Sequence, residues 1–374
     1  MSVARTSHSQ QSTLLAARLK ARIARGGPIS VADFMETCLA DATAGYYPSR
    51  QPIGAAGDFI TAPEVSQIFG ELLGLWAVAA WQSMGEPRGV VVAELGPGRG
   101  TLMADALRAW RSVPDFLATV SVGLIETSPV LREAQRVTLH GADVPIHWHD
   151  DLAHLPHGPL IVIANEFVDA LPVRQLLWRD GQWHERSVTI GRDGGFAFCE
   201  GSAVRNENLQ QMAHALQVPD DSILEVRPAA SALIAALATR AAAAPLAALI
   251  VDYGHGKTAC GDTLQAVWRH KYADPLSQPG EVDLTAHVDF AALKDSASAH
   301  GLTAYGPMPQ GEFLLKLGLE ARRDRLCETA SPEQRQEIDA AVSRLADPQA
   351  MGLLFKALAL TSAGLAPPPP FGEI

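Results

Sequence analysis

Cysteine is scarce: four in 374 residues (Cys38, Cys199, Cys260 and Cys327), none at Cys-x-x-Cys spacing. That excludes a thiolate zinc knuckle and a disulfide framework, and it leaves free thiols suited to a reducing compartment. Long apolar runs are missing too. The most apolar stretch, Leu72 to Trp81, is about half of what a membrane-spanning helix needs and follows Glu71, so no membrane insertion is expected. Positive charge is the smaller share, with 30 Lys and Arg against 41 Asp and Glu and a formal net charge of −11, so a nucleic-acid partner is not favoured. No internal repeat is visible. A cluster of His147, His149, His154 and His157 lacks the spacing of a ligand set, so no metal is expected.

What the chain does contain is one strand–turn–helix unit around which the rest is arranged. Val90-Val91-Val92-Ala93 reads as a buried parallel strand, Glu94-Leu95-Gly96-Pro97-Gly98-Arg99-Gly100 as a sharp turn, and Thr101 onward as a helix carrying Leu102, Ala106 and Leu107 on one face. The turn lacks the Gly-Lys-Ser/Thr of a phosphate-binding loop. Its third glycine comes one residue early for a dinucleotide loop, and Pro97 removes a backbone donor from its middle. A carboxylate at the strand end, Glu94, suits a cationic cofactor, and S-adenosylmethionine carries both an ammonium and a sulfonium. A tight turn with no ligand remains the plainer alternative.

A second apolar strand, Val120 to Ile125, ends in Glu126, where doubly wound nucleoside-binding folds place the carboxylate that accepts ribose hydroxyls. A third, short strand leads to Asp150 and Asp151. The fourth, Leu160 to Ala164, runs into Asn165, Glu166 and Asp169, polar groups at the strand end where such sheets meet their ligands; for Asp169 a capping role is the alternative. Before these elements, Arg5, Arg18, Lys20, Arg22 and Arg25 precede the first acidic residue, Asp33. Leu14, Leu15, Leu19 and Ile23 nevertheless form a helical stripe leading into the domain. A bacterial cytoplasmic protein is therefore expected, with the mitochondrial matrix as the alternative. Ser30 is placed to cap the next helix, Pro63 and Glu64 to open one over Val65 to Trp81, and Asp58 and Thr61 read as turn formers. Beyond the fourth strand, a β-meander over Leu176 to Glu200 and further strands at Leu246 to Tyr253, Thr303 to Pro307 and Leu353 to Ala359 are expected, with a helix over Phe313 to Cys327.

Several stretches together carry a family resemblance: Gly57-Asp58-Phe59-Ile60-Thr61-Ala62-Pro63-Glu64, Glu94 to Thr101, Asn165-Glu166-Phe167-Val168-Asp169-Ala170-Leu171-Pro172, Asp252-Tyr253-Gly254, Arg269-His270-Lys271 and Asp283 to Phe290. In this order they resemble the MidA-like family of class I S-adenosylmethionine-dependent methyltransferases, which includes a mitochondrial complex I assembly factor. The resemblance implies an α/β fold: a Rossmann-like class I methyltransferase seven-stranded sheet with added N-terminal helices and inserted helical and β elements. The expected layout is an N-terminal helical segment over 1–88 closing over the cofactor, a methyltransferase domain over 89–365 with insertions at about 176–245 and 257–320, and a loose tail over 366–374.

The resemblance also implies symmetric dimethylation of an arginine in the hydrogenase-like subunit of respiratory complex I. The alternative is a non-catalytic assembly chaperone that keeps the cofactor site. A homodimer is compatible with either. Glu166 and Asp169 are the expected catalytic carboxylates, since paired carboxylates grip a guanidinium and can receive a proton. Glu94 is expected at the amino-acid end of the cofactor, with Gly96, Gly98, Gly100 and Thr101 beside it. Glu126 is expected at the ribose and Asp150 or Asp151 at the adenine, while Asp58, Phe59 and Thr61 close over it. Asn165, standing where eukaryotic members tend to have His, is a further cofactor contact. Tyr46, Tyr47 and His270 are expected to shape the channel of a protein substrate.

Overall fold

Val91, Ala93 and Leu95 turn to one side of their strand, Val90 and Val92 to the other, and all five are buried. A strand apolar on both faces needs a cover on both, which is the signature of a parallel sheet between helical layers. The computed structural model, which describes residues 3–49, 61–215, 217–268 and 271–372, supplies them. Its main sheet comprises β1 (Val91–Leu95), β2 (Ser121–Ile125), β3 (Ile146–His149), β4 (Leu160–Asn165), β5 (Leu246–His255), β6 (Thr303–Pro309) and β7 (Phe355–Thr361). They lie in the order β3-β2-β1-β4-β5-β7-β6, all parallel except β7. The two-residue strand Val288–Asp289 adds to the end of β5. Successive strands step outward from β1 to β3, and β4 then returns to the other side of β1. That reversal opens a crevice at the carboxyl ends of β1 and β4, where ligands bind in such sheets.

Helices Gln67–Ser83 and Thr101–Trp110 cover one face with Trp76 and Trp110, while Pro228–Ala241 and Phe290–Ala299 cover the other. A separate core joins helix Val3–Gly26, helix Val31–Ala40, the meander and a three-stranded sheet formed by Gln265–Trp268, Lys271–Ala273 and Asp283–Thr285. Leu15, Leu19 and Ile23 face that core, whereas Leu14 points to solvent. Ser30 caps the second helix, its hydroxyl accepting the Asp33 N–H at 3.0 Å. Strand Ile29–Ser30 pairs with Gln182–Ile190 of the meander, a long-range contact with no local signature.

Three expectations need correction. The helix expected from Val65 is interrupted: a turn at Ala62–Val65 precedes Gln67–Ser83, because the Ser66 hydroxyl accepts the Ile68 N–H and starts a new helix. The helix over Phe313 to Cys327 is two, Gln310–Lys316 and Leu319–Cys327, divided at Gly318, whose φ of 99° is left-handed. Residues 366–372 do not trail loosely: Pro368 and Pro370 are buried and the Phe371 ring lies 5.7 Å from that of Phe313.

The Leu319–Cys327 helix is tied to the domain by one acid. Glu71, 2 % exposed, accepts from Arg322 Nε at 2.7 Å, Arg322 Nη2 at 3.0 Å and Arg108 Nη1 at 3.1 Å. Removing a buried acid that pairs two cations strands Arg322 and leaves Arg108 with Asp105 alone. Glu71→Ala is expected to cost about 3 kcal/mol, discounted to about 2 because the arginines are partly solvated. Urea unfolding should show a lower midpoint with an unchanged slope.

Candidate active site

After β1 the chain turns through Gly96 (φ 59°), Gly98 (φ 53°) and Gly100 (φ 82°), all left-handed, before helix Thr101–Trp110 begins. A side chain at Gly96 would put its Cβ 2.8 Å from the Phe167 ring, so this loop lies directly against the exit of β4. Gly96 and Gly98 form part of the wall of a cavity of about 600 Å³. Opposite them stands Glu126, whose Oε1 accepts the Ser128 N–H at 2.8 Å and whose Oε2 accepts from Gln135 Nε2 at 3.2 Å. Gln135 is fully buried; it also donates to the Gly98 carbonyl at 2.7 Å and accepts from Trp148 Nε1 at 2.9 Å. One amide thus fixes the glycine loop and the carboxylate relative to each other. Burial raises the Glu126 pKa, and its hydrogen bonds from Ser128 and Gln135 oppose the rise.

Glu94 lies behind this wall. It is almost wholly buried, burial pushes its pKa up to about 8, and Oε2 has no hydrogen-bond partner among the described residues. On the neighbouring strand Asn165 Oδ1 is likewise buried without a partner. Two orphaned acceptors at adjacent strand ends, beside a wall stripped of Cβ atoms, fit a ligand that brings an ammonium and hydroxyl donors.

The other half of the cavity is built by the turn after β4. Glu166 sits at φ 48°, unusual for a non-glycine residue, and its N–H is held by the Val251 carbonyl at 2.9 Å. Its Oε1 accepts the Ala62 N–H at 2.9 Å and Asn165 Nδ2 at 3.2 Å. Burial pushes the Glu166 pKa up to about 7, with the nearby Asp169 adding to the rise. Asp169 is also raised by burial, against the Tyr253 phenol and the Arg227 charge, and its Oδ1 has no partner among the described residues. Tyr253 accepts from Gln265 Nε2 at 3.2 Å, and the same amide reaches Thr285 Oγ1 at 3.3 Å. From the N-terminal segment, Tyr47 donates its hydroxyl to Asp283 at 3.0 Å, while its carbonyl accepts the Ser128 hydroxyl at 2.9 Å. Among the described residues, Glu36, Glu126, Asp150, Glu166, Asp169 and Asp283 face the cavity with one arginine, Arg344. Such a wall suits cations.

Of the expected site residues, the cavity wall brings together Tyr47, Thr61, Gly96, Gly98, Glu126, Asp150, Glu166 and Asp169. Others stand off it. Thr101 donates its hydroxyl to Glu64 Oε1 at 2.7 Å, so it anchors the segment beneath Thr61. Gly100 serves as the helix N-cap. Tyr46 is buried with its ring edge-on to Tyr47 at 5.3 Å and supports that residue. The two adenine candidates separate: Asp150 pairs with Arg132 at 2.7 Å at the rim, whereas Asp151 caps the turn Leu152–His154 through the Ala153 N–H. The capping role considered for Asp169 is not the one it has, since no helix follows β4. Asp58, Phe59 and His270 lie outside the described residues. Sequence reasoning assigned no role to Arg227, Asp252, Tyr253, Gln265, Asp283 or Arg344. Asp252-Tyr253 carried a signal, a polar pair closing an apolar run; Arg227, an arginine before Pro228, carried none.

Comparison with known proteins agrees with this geometry. Residues 72–308 match the model of a family described as S-adenosyl-L-methionine-dependent methyltransferase. The mitochondrial protein arginine methyltransferase NDUFAF7 homolog of Drosophila melanogaster is 37% identical, covering 94% of this chain and 86% of its own length. The mitochondrial protein arginine methyltransferase NDUFAF7 of Homo sapiens is 35% identical over 91% and 81%. A Burkholderia thailandensis protein, solved bound to S-adenosyl-homocysteine, superposes with a TM-score of 0.84 at 31% identity, over 96% of this chain and 95% of its own. No described helix is long and apolar enough to cross a membrane. With its reversed parallel sheet, its glycine turn and its two orphaned acceptors, the chain belongs to the S-adenosyl-L-methionine-dependent methyltransferase family and uses that cofactor.

Proposed function

We propose that this enzyme methylates an arginine side chain of a protein, with Glu166 and Asp169 holding the guanidinium. The carrying observation is the pair of carboxyl groups that close the acceptor half of the cavity beside the glycine loop. A guanidinium stays protonated at any physiological pH, and its planar fork matches carboxylates. The cofactor supplies a sulfonium methyl, whose carbon bonds to the incoming nitrogen as its bond to sulfur breaks and sulfur keeps the electron pair. The nitrogen then carries a surplus proton. Glu166, with a pKa pushed up to about 7 in the empty site, is matched to receive it. Alignment supplies most of the acceleration, and both carboxylates sit on a turn fixed at its backbone.

For the cofactor we assign Glu94 and Asn165 to the amino-acid end, the Gly96–Gly100 loop to the wall beside it, Glu126 to the ribose hydroxyls and Asp150 to the adenine side, with Thr61 closing over it. The names of the Drosophila and human relatives support an arginine acceptor. The hydrogenase-like subunit of respiratory complex I is the protein that the family resemblance implies. Free cysteines suit a reducing setting, bacterial cytoplasm or mitochondrial matrix. A chaperone that only bound cofactor would have no use for two costly carboxyl groups in the acceptor half.

Four outcomes test this reading. Glu166→Gln should leave S-adenosylmethionine affinity within about twofold and lower methyl transfer at least about a hundredfold, the scale of a lost acid–base group; mass spectrometry showing undiminished arginine methylation would refute the role. Glu94 governs the pH dependence of binding. Its carboxyl is neutral below about pH 8 in the empty protein, and a bound cation favours the ionised form. Binding should therefore expel a proton, and affinity should rise several-fold between about pH 6 and 7.5. Calorimetry in buffers of differing ionisation enthalpy reads the proton directly, and Glu94→Gln should abolish both effects. The same group opposes folding of the empty protein as pH rises from its ordinary 4.5 toward about 8, by on the order of 4 kcal/mol, so Glu94→Gln should be the more stable protein at pH 8. In the host, deleting the gene should remove dimethylarginine from the complex I subunit, read by mass analysis against wild type.

A further inference from the structure

The turn from Glu166 to Leu171 forms neither helix nor strand, yet its backbone polar groups are satisfied from both sides. Asp252 Oδ2 accepts the N–H groups of Val168 at 2.9 Å and Asp169 at 3.1 Å, and its Oδ1 accepts the Tyr253 N–H at 2.9 Å. Arg227 takes the carbonyls of the same turn, Nε donating to Leu171 at 3.0 Å and Nη2 to Asp169 at 3.3 Å. The rest of the guanidinium reaches the carbonyls of Ala286 at 3.0 Å and His287 at 3.2 Å. The Ala286 N–H closes the ring by donating to the Asp169 carbonyl at 3.2 Å. Neither Asp252 nor Arg227 forms part of the cavity wall. Asp252 is fully buried, and a carboxylate and a guanidinium are expensive ways to satisfy a turn that a sharper loop could have closed.

We infer that Asp252 and Arg227 are positioning residues of the acceptor site, clamping the Glu166–Leu171 turn so that Glu166 and Asp169 present their carboxyl groups to the incoming cation. The inference rests on the acceptor role proposed above for Glu166 and Asp169. The charged and titratable groups facing Asp169 are Glu166 on its own turn, Asp252 and Tyr253 from β5, Tyr47 from the N-terminal segment and Arg227 from the start of helix Pro228–Ala241. Among these described groups the cation is Arg227, and Arg344 faces the same cavity on the Glu166 side. Two carboxyl groups sharing one dry turn cannot both ionise freely, so a guanidinium entering the site both finds a prepared fork and releases a proton.

The test uses the full chain, S-adenosylmethionine and the recombinant hydrogenase-like subunit as acceptor, with kcat/KM followed against pH for wild type, Asp252→Asn, Arg227→Lys, Glu166→Gln and Asp169→Asn. Asp252→Asn should keep cofactor affinity within about twofold and lower kcat/KM for the acceptor at least about tenfold, chiefly through KM, because the loosened turn no longer holds both carboxyl groups in register. A merely structural role would lower kcat and cofactor affinity together instead of raising KM for the acceptor alone. Arg227→Lys keeps the charge but not the fork, and should raise KM for the acceptor about tenfold with cofactor affinity unchanged. Wild-type profiles in both variants, beside inactive Glu166→Gln and Asp169→Asn, would overturn the clamp and leave the acceptor reading standing. Full activity in Glu166→Gln and Asp169→Asn would overturn that reading and the clamp with it. Failure of both clamp variants to fold, or parallel loss of cofactor affinity and acceptor turnover, would show scaffolding alone and overturn the inference.

Discussion

Burying a carboxyl group is costly unless its charge is matched, and here four of them, Glu94, Glu126, Glu166 and Asp169, stand at the ends of three neighbouring strands. Each has a pKa raised mainly by burial. The molecule escapes part of the cost at Glu94, whose pKa of about 8 leaves its proton in place near neutrality, while Glu126 and Glu166 are held by hydrogen bonds from Ser128, Gln135, Ala62 and Asn165. A cation that enters favours the ionised form of each, and the charges become attractive. The cofactor and a guanidinium acceptor are both cationic, so one physical device serves both halves of the crevice. The glycine turn and the reversed strand order bring these groups together, and neither would be selective without the acids.

The strands of the main sheet were legible because burial on both faces forces runs such as Val90-Val91-Val92-Ala93 and Leu160-Ile161-Val162-Ile163, and because carboxylates end them. Ser30 was legible as a cap for a local reason, a hydroxyl three residues before the N–H it accepts. The site was legible wherever a residue closes a strand. It was obscure wherever a partner comes from afar. Arg227 meets Asp169 across 58 residues and Tyr47 meets Asp283 across 236, and no period or spacing encodes either pairing. The break at Gly318 and the fresh start at Ser66 show a related limit, since helical periodicity runs through both and one residue divides the helices, a left-handed glycine in the first case and a capping hydroxyl in the second.

The same distinction bears on rival functions. A pyrophosphate needs several backbone N–H groups converging on it, and a turn with Pro97 at its centre has one fewer to offer. What surrounds this turn instead is acceptors: Glu94 Oε2 and Asn165 Oδ1 without partners, and Glu126 oriented by Gln135. A nicotinamide dinucleotide would bring phosphate charge to a wall of carboxylates. S-adenosylmethionine brings none.

The N-terminal segment belongs to the site as much as the sheet does. The Ala62 N–H fixes Glu166, Glu64 takes the hydroxyl of Thr101 at the start of the glycine-loop helix, and the Tyr47 carbonyl takes the hydroxyl of Ser128. Through these three bonds the segment touches Glu166, the loop after β1 and the loop after β2, the three places that the proposed function has align cofactor and acceptor. Glu126 and Asp283 are thereby joined by a continuous path, from Glu126 through the Ser128 backbone and hydroxyl to Tyr47 and its phenol. A sheet alone could bind the cofactor; holding a second cation in register with it takes a segment bonded to both halves at once.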